Sequence, residues 1–411
     1  MKPHDGPTLT VVSQIFAPQV SGSPILLANM LSHFTGKVNT VAGYNRYSKI
    51  DPAFRAPCTV QTLALPRTFP ILTDRLERRL PGLLSRVLRI FLRRALKNLS
   101  TDVVLAVFPH ETYVVAAFLV ARQMGLPFYV HMHDLWSENK PAGTAAARFA
   151  ATWEPVILKH AQRVLCMTEA MQEHYAKKYG IKTYLLPHSI PEEDYQKAPA
   201  EPHVPQLPKP TILFVGAVSP EMNLDALKVL ADASELLPVE YELLFCTSFD
   251  LALLQRFGIR SSRLRATYVS RAEVQRLQSN AHVLVAVLSH KNGSPLEVQT
   301  VFSTKLLEYL VAGRPIVVFA PPGSYHAESA RRNGWGYVVD EDSPTALAAG
   351  LLTVVKDKKL AARLVAGARR EAEARRALHH AARLREWVLA DTHNPTEQVQ
   401  QTPEGVFAGG H

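Results

Sequence analysis

From Pro191 to Pro210, prolines at 191, 199, 202, 205, 208 and 210 crowd among charged residues, the composition of a linker. The stretch cuts a chain of 411 residues into two halves. Each half opens on a short apolar β-rich run, Leu9 to Val12 in one and Thr211 to Val215 in the other, followed by alternating strand-like and helix-like patterns. A chain this long exceeds one ordinary core, so two α/β domains of roughly 150–200 residues each are expected.

In the first half, a loop through Ser13, Pro18, Gly22 and Pro24 leads into a helical pattern at Ile25, Leu26, Leu27, Met30 and Leu31. Strand, glycine-containing loop and helix form the opening unit of a doubly wound domain. The G-x-G-x-x-G spacing is absent, so the loop alone is a weak phosphate signal. Val38–Val41, Val103–Val107 and Val164–Met167 read as strands, and Thr112–Met124 reads as a helix. The strand Pro127–Val130 delivers His131, His133, Asp134 and Glu138 at its carboxyl end, where open α/β sheets bind ligands. Two histidines and two acids suggest a metal, but no second cluster completes a ligand set. A polar site for substrate hydroxyls is the expectation; a His–Asp pair capping the next turn is the plainer alternative.

Charge is concentrated between Arg67 and Lys97, where basic residues outnumber acids nine to two in a chain of net charge +10. At 100° per residue, Arg75, Arg79, Arg86, Arg93 and Lys97 share one narrow helical face, with Leu80, Leu84, Val87, Leu88 and Phe91 roughly opposite. Pro81 is placed to start this helix or to break it from a preceding turn. A helix lying on an anionic membrane surface fits the pattern, and so does a domain helix with a solvated arginine face. Nucleic acid is not expected, because no recognised module or aromatic platform accompanies the charge. Cys58, Cys166 and Cys246 are too scattered for a disulfide framework or a metal motif, which points to the cytoplasm. Neither a signal-peptide core nor a run of 18 apolar residues is present.

In the second half, patterns alternate through 224–236, 241–246, 249–257, 265–269, 271–280 and 283–288. Then comes Ser303 to Pro315, in which Lys305 and Glu308 sit on neighbouring faces of one short helix that stops at Gly313. With Ser303 or Thr304 as its cap, the free N–H groups of the first turn would favour an anion. A cation, a carboxylate and a positive helix end suit a phosphorylated ribose; an ordinary solvated helix has the same spacing. Residues 345–389 read as two helices rich in Ala, Leu and Arg. The tail from Thr392 has nothing to bury and should be disordered.

Over most of residues 8–390 the chain resembles the retaining GT-B glycosyltransferases of family 4. Ser13 to Pro18 looks like that family's first loop, and His133-Asp134-Leu135-Trp136 like its His-Asp-Leu-Trp-Pro segment with Ser137 for the proline. Leu186-Pro187-His188-Ser189-Ile190 stands where Leu-Pro-Asn-Gly is usual, and Thr304 to Pro315 is the most specific motif. The chain departs from the pattern too. Thr300 stands eight before Glu308, where a carboxylate is common, with Glu297 nearby. Ala217 and Met222 stand where the family's diphosphate-binding Arg and Lys are usual; the chain resembles more a subset with a Lys-Leu-x-Glu-Tyr helix, which implies that Lys305 supplies the charge.

The resemblance implies an α/β GT-B fold, two Rossmann-like domains facing across a cleft, with C-terminal helices. It implies an acceptor-binding domain over 1–190, a linker over 191–210 and a nucleotide-sugar domain over 211–375. A helix over 376–391 would pack back on the first domain, and a disordered tail would cover 392–411. The implied reaction moves a sugar from a nucleotide diphosphate sugar to an acceptor hydroxyl with retention, in polysaccharide, glycolipid or other glycoconjugate biosynthesis. It needs no metal and no cofactor. Lys305 would hold the phosphates, with Gly216 and Thr304 beside them, and Glu308 the ribose hydroxyls. Gly22 would let the first loop approach the donor. His133 would contact the sugar or the developing charge, oriented by Asp134. The acceptor would be a glycan, a lipid-linked glycan or a small molecule, and the location cytoplasmic, at the inner membrane face through Arg75–Lys97. A nucleotide-sugar epimerase of the same fold and an inactive nucleotide-sugar-binding protein stay open.

Overall fold

The computed structural model describes residues 6–20, 22–43, 49–51, 56–63, 76–77, 79–199, 205–291 and 294–393. Arg67, Arg75 and Arg78 of the basic stretch lie outside the described residues, as do residues 200–204 of the proline-rich stretch and 394–411 of the tail. The chain forms two compact units, one of residues 1–189 with 377–411 and one of 190–376.

The first unit carries β1 (Thr8–Ser13), β2 (Gln19–Val20), β3 (Lys37–Ala42), β4 (Lys49–Ile50), β5 (Thr59–Thr62), β6 (Val103–Phe108), β7 (Phe128–Met132), β8 (Arg163–Cys166) and β9 (Thr183–Leu185). Seven of them make one parallel sheet in the order β5-β3-β1-β6-β7-β8-β9, and β2 pairs antiparallel with β4. Both faces of this sheet are covered, which is why its strands read as unbroken apolar runs. Alternate residues of β6 go to opposite cores. Val104 and Ala106 face the Glu111–Met124 helix, and Val103, Leu105 and Val107 face the layer that includes Leu27, Met30 and Leu31.

The Ala377–His393 helix belongs to this unit and buries Ala381, Leu384 and Val388 in that second core. Arg163 on β8 fixes it by donating to Asp391 through Nε at 2.7 Å and Nη2 at 2.8 Å. The Tyr129 hydroxyl on β7 donates to the same carboxylate.

The second unit carries β10 (Thr211–Val215), β11 (Glu242–Cys246), β12 (Leu264–Thr267), β13 (Val283–Val287), β14 (Ile316–Phe319) and β15 (Tyr337–Val339). They form a parallel sheet in the order β12-β11-β10-β13-β14-β15. Chain order reverses between β10 and β13, and ligands of open α/β sheets bind outside the strand ends at such a reversal.

Two readings change. The proline-rich stretch is not linker throughout, because Glu192–Lys197 is helical and tied into the second unit: Arg376 donates through Nη2 to Glu192 at 2.7 Å. Residues 345–389 hold three helices, not two: Pro344–Lys356, Lys358–Ala374 and Ala377–His393. Asp357 makes the first break, since its carboxylate accepts the Leu360 N–H at 2.9 Å and so starts a new helix.

Candidate active site

In the second unit the Thr304–Val311 helix sits at the sheet reversal, and Tyr309 shows why. Its buried hydroxyl accepts the Val215 N–H of β10 at 2.8 Å and donates to the Val285 carbonyl of β13 at 3.4 Å. One side chain thus joins the helix to both strands that flank the reversal. The helix ends as the sequence predicts, with Gly313 left-handed at φ 68°; a Cβ there would also strike the Pro199 ring at 2.2 Å.

On the exposed side of this helix, Lys305 Nζ lies 3.5 Å from Glu308 Oε1, and Gln278 donates to Glu308 Oε2 at 3.0 Å. Lys305 is 44% exposed and Glu308 only 18%. The cation is therefore free to leave for a ligand, while the carboxylate is held by a buried amide. Sequence reasoning missed Gln278, because it comes from the distant Arg271–Asn280 helix.

The helix starts at one of the two expected residues, without the expected side-chain bond. Ser303 occupies the N-cap position without a side-chain capping bond, and Thr304 is the first helical residue. Gly216 follows β10 directly, but its N–H is already used by the Cys246 carbonyl at 3.1 Å. That amide is thus engaged by the sheet, and what Gly216 offers beside a phosphate is its lack of a side chain. Ala217 and Met222 lie in a turn closed by Ser219 N–H donating to Asn223 at 2.9 Å. Thr300 is buried and its hydroxyl donates to the Leu296 carbonyl at 2.8 Å.

In the first unit the carboxyl end of the sheet gathers imidazoles. His131 Nε2 meets the Leu186 carbonyl at 2.8 Å, and His133 Nε2 meets His131 Nδ1 at 3.2 Å. Since a carbonyl only accepts, His131 carries its proton on Nε2, its Nδ1 accepts, and His133 donates from Nε2. The lone pair of His133 Nδ1 then has no partner among the described residues, although the atom is buried. The His188 ring stands edge-on to His133, centroids 4.8 Å apart, and its Nε2 lies 3.4 Å from Ser23 Oγ.

Burial, then repulsion from His131, His188 and His110, holds His133 well below the usual imidazole range, so it is a neutral base near pH 7. Asp134 does not orient it. Neither His133 nitrogen bonds that exposed carboxylate, and the orienting partner is His131. His131, His133 and Asp134 were visible in the sequence; the partnership of His188 was not, since it arrives from the far strand β9.

The loop carrying His133 is rigidly held. Leu135 and Trp136 are buried, the Trp136 N–H donates to Tyr175 at 3.0 Å, and the Ser137 N–H donates to Glu154 at 2.6 Å. Glu154 is fully buried but satisfied by Lys178 and the Tyr179 hydroxyl, both at 2.7 Å. Gly22 is the exposed first residue of the Gly22–Leu31 helix. Among the described residues no group of three or more His, Cys, Asp or Glu is placed to hold a metal ion, and no helix is long and apolar enough to cross a membrane.

Residues 35–184 match the model of the glycosyl transferase 4-like domain, and residues 209–357 that of glycosyl transferases group 1. The chain belongs to the group 1 glycosyltransferases. A comparison by sequence with curated proteins gave no match. Among solved structures, this glycosyltransferase is similar to sucrose-phosphate synthase from Thermosynechococcus elongatus, with TM-score 0.66 and 15% identity over 95% of this chain and 100% of the other. It is similar to Anabaena HepE in complex with UDP, with TM-score 0.64 and 14% identity over 93% and 100%. A glycosyltransferase from Rickettsia africae gives TM-score 0.62 and 12% identity over 96% and 100%. At such identities the likeness is one of fold, and that fold is GT-B.

Proposed function

We propose that this glycosyltransferase moves a sugar from a nucleoside diphosphate sugar to an acceptor hydroxyl, with retention and without a metal, in glycoconjugate or polysaccharide synthesis. The observation that carries the reading is the Lys305–Glu308–Gln278 arrangement beside the sheet reversal of the second unit. HepE, a relative in fold, has been solved with UDP and with UDP-glucose, which supports a donor of that class here. Breaking the glycosidic bond places negative charge on the leaving diphosphate, and a fixed cation stabilises that charge most where water is scarce. In this reading Lys305 turns from Glu308 to the phosphates, and Glu308, held by Gln278, accepts from both ribose hydroxyls. Thr304 adds a backbone donor in the first helical turn, and Gly216 leaves room. The first unit takes the acceptor, a glycan, a lipid-linked glycan or a small molecule. His133 presents its unpartnered Nδ1 to an acceptor hydroxyl, and Gly22, at the start of the helix that follows β2, leaves room for the donor.

The test is a panel of nucleoside diphosphate sugars incubated with sugar acceptors and chelator, with release of the free diphosphate measured and the product anomer read by NMR. Acceptor-dependent release and a retained anomer support the reading. Turnover of donor without acceptor would make the protein an epimerase, and binding with no release would make it an inactive receptor. Unchanged turnover by Lys305→Ala would remove Lys305 from the chemistry.

A further inference from the structure

The Pro81–Lys97 helix has two apolar faces, only one of which the helical wheel anticipates. Leu84, Leu88, Leu92 and Leu96 are buried in the first unit's core and fix the helix's rotation. The outward side carries Arg86, Arg93, Arg94 and Lys97, all exposed. Leu83 and Ile90, seven residues apart, stand on that same side, 50% and 56% exposed, and Leu80 one turn earlier is 53% exposed. The helix carries no acidic residue. Beside it runs a groove of about 580 Å³, lined by Ile90, Gln123 and five basic side chains.

A merely solvated face would not need large aliphatics among its arginines, and the core cannot recruit them while the opposite leucines hold the helix in place. Aliphatic side chains rimmed by cations on a helix with no acids match a lipid interface, where the cations meet headgroup phosphates and the aliphatics pass below them. A polyanion such as RNA would use the charge alone and gain nothing from Leu83 and Ile90.

We infer that this face docks on an anionic phospholipid bilayer, the helix lying in the interface with Leu83 and Ile90 inserted and Arg86, Arg93, Arg94 and Lys97 on the phosphates. The inference is independent of the donor reading, since it uses neither Lys305 nor His133.

The experiment is flotation of the full chain with vesicles of phosphatidylcholine alone and of phosphatidylcholine with phosphatidylglycerol, across a salt series. Binding should require phosphatidylglycerol and weaken with salt. Leu83→Ser with Ile90→Ser should weaken partition at least roughly tenfold, since two aliphatics lose their insertion. Arg86→Glu with Arg93→Glu should abolish it. Both pairs are exposed, and an unchanged melting temperature would show that the fold is intact. Three results would overturn the inference: no binding to anionic vesicles, equal partition by the serine pair, or loss on charge reversal without loss in the serine pair. The last would mark a general polyanion surface.

Discussion

The backbone N–H of Ser303 donates to Nε2 of His326 at 3.0 Å, so an imidazole on the Tyr325–Asn333 helix anchors the residue from which the Lys305 helix starts. The bond requires His326 to be neutral with its proton on Nδ1. Burial, with Arg375 nearby, lowers its pKa to about 3 and keeps it so. The Arg375 guanidinium lies 4.1 Å from the Phe302 ring centroid and donates to Glu371 at 2.6 Å, which braces the residue before Ser303. His326→Ala orphans a partly buried N–H and leaves a cavity, a cost of about 2–4 kcal/mol by urea unfolding. It should also weaken nucleoside diphosphate binding. His326→Gln, whose amide oxygen can accept the same N–H, should restore most of both.

The pH dependence of stability follows from the same kind of residue. Burial lowers His110 and His131 to about 4 and His326 to about 3, from 6.5. Each is neutral when folded, whereas the unfolded chain takes up a proton below pH 6.5. Stability is therefore fully present above pH 6.5 and falls as the pH drops towards 4, by about 1.4 kcal/mol per pH unit for each histidine. Urea midpoints at pH 7.5 and 5.5 should show the loss, and His326→Gln should flatten the slope by one proton. A flat profile between those values would contradict the buried neutral imidazoles.

Much of this architecture was readable because strands covered on both faces carry no alternation to obscure them. Val103–Phe108 and Ile316–Phe319 announce themselves as apolar runs, and the Thr168 cap, accepting the Met171 N–H at 3.2 Å, marks the next helix. Lys305 and Glu308 were legible because their pairing is local. Their supports were not: Gln278, Tyr309's two strand contacts and His326 are meetings of segments far apart in sequence, set by strand order. The arginine face was legible from spacing, but Leu83 and Ile90 within it were not. A wheel assigns apolar residues to the core until packing shows that the core is already filled by Leu84, Leu88 and Leu92.

Gln278 is a positioning residue. Its amide holds Glu308 Oε2 at 3.0 Å while Lys305 stands near Oε1 at 3.5 Å. In Gln278→Leu the carboxylate loses its donor and pairs more closely with Lys305. Donor KM should then rise roughly tenfold with a smaller change in kcat, the pattern of lost ground-state binding. Gln278→Glu should do worse, since a second carboxylate would repel the first. Equal KM in wild type and Gln278→Leu would mean that Glu308 does not meet the ribose.

Arg163 and Asp391 join β8 to the C-terminal helix through a bidentate pair whose side chains are only 12% and 8% exposed. The guanidinium also lies over the Tyr184 ring at 4.5 Å, and Tyr129 donates to the same carboxylate. Removing one member of so buried a pair strands the other, at about 3–5 kcal/mol. Asp391→Ala should therefore lower the urea midpoint markedly, and Asp391→Asn less so, since the amide oxygen still accepts. Truncation before Ala377 should do more, since it also removes Leu384 and Val388 from the core that covers β1 and β6. Because that helix belongs to the first unit alone, the damage should appear there. Hydrogen exchange in Asp391→Ala should rise in β1, β6 and β7 while the amides of β10 and β13 keep their protection.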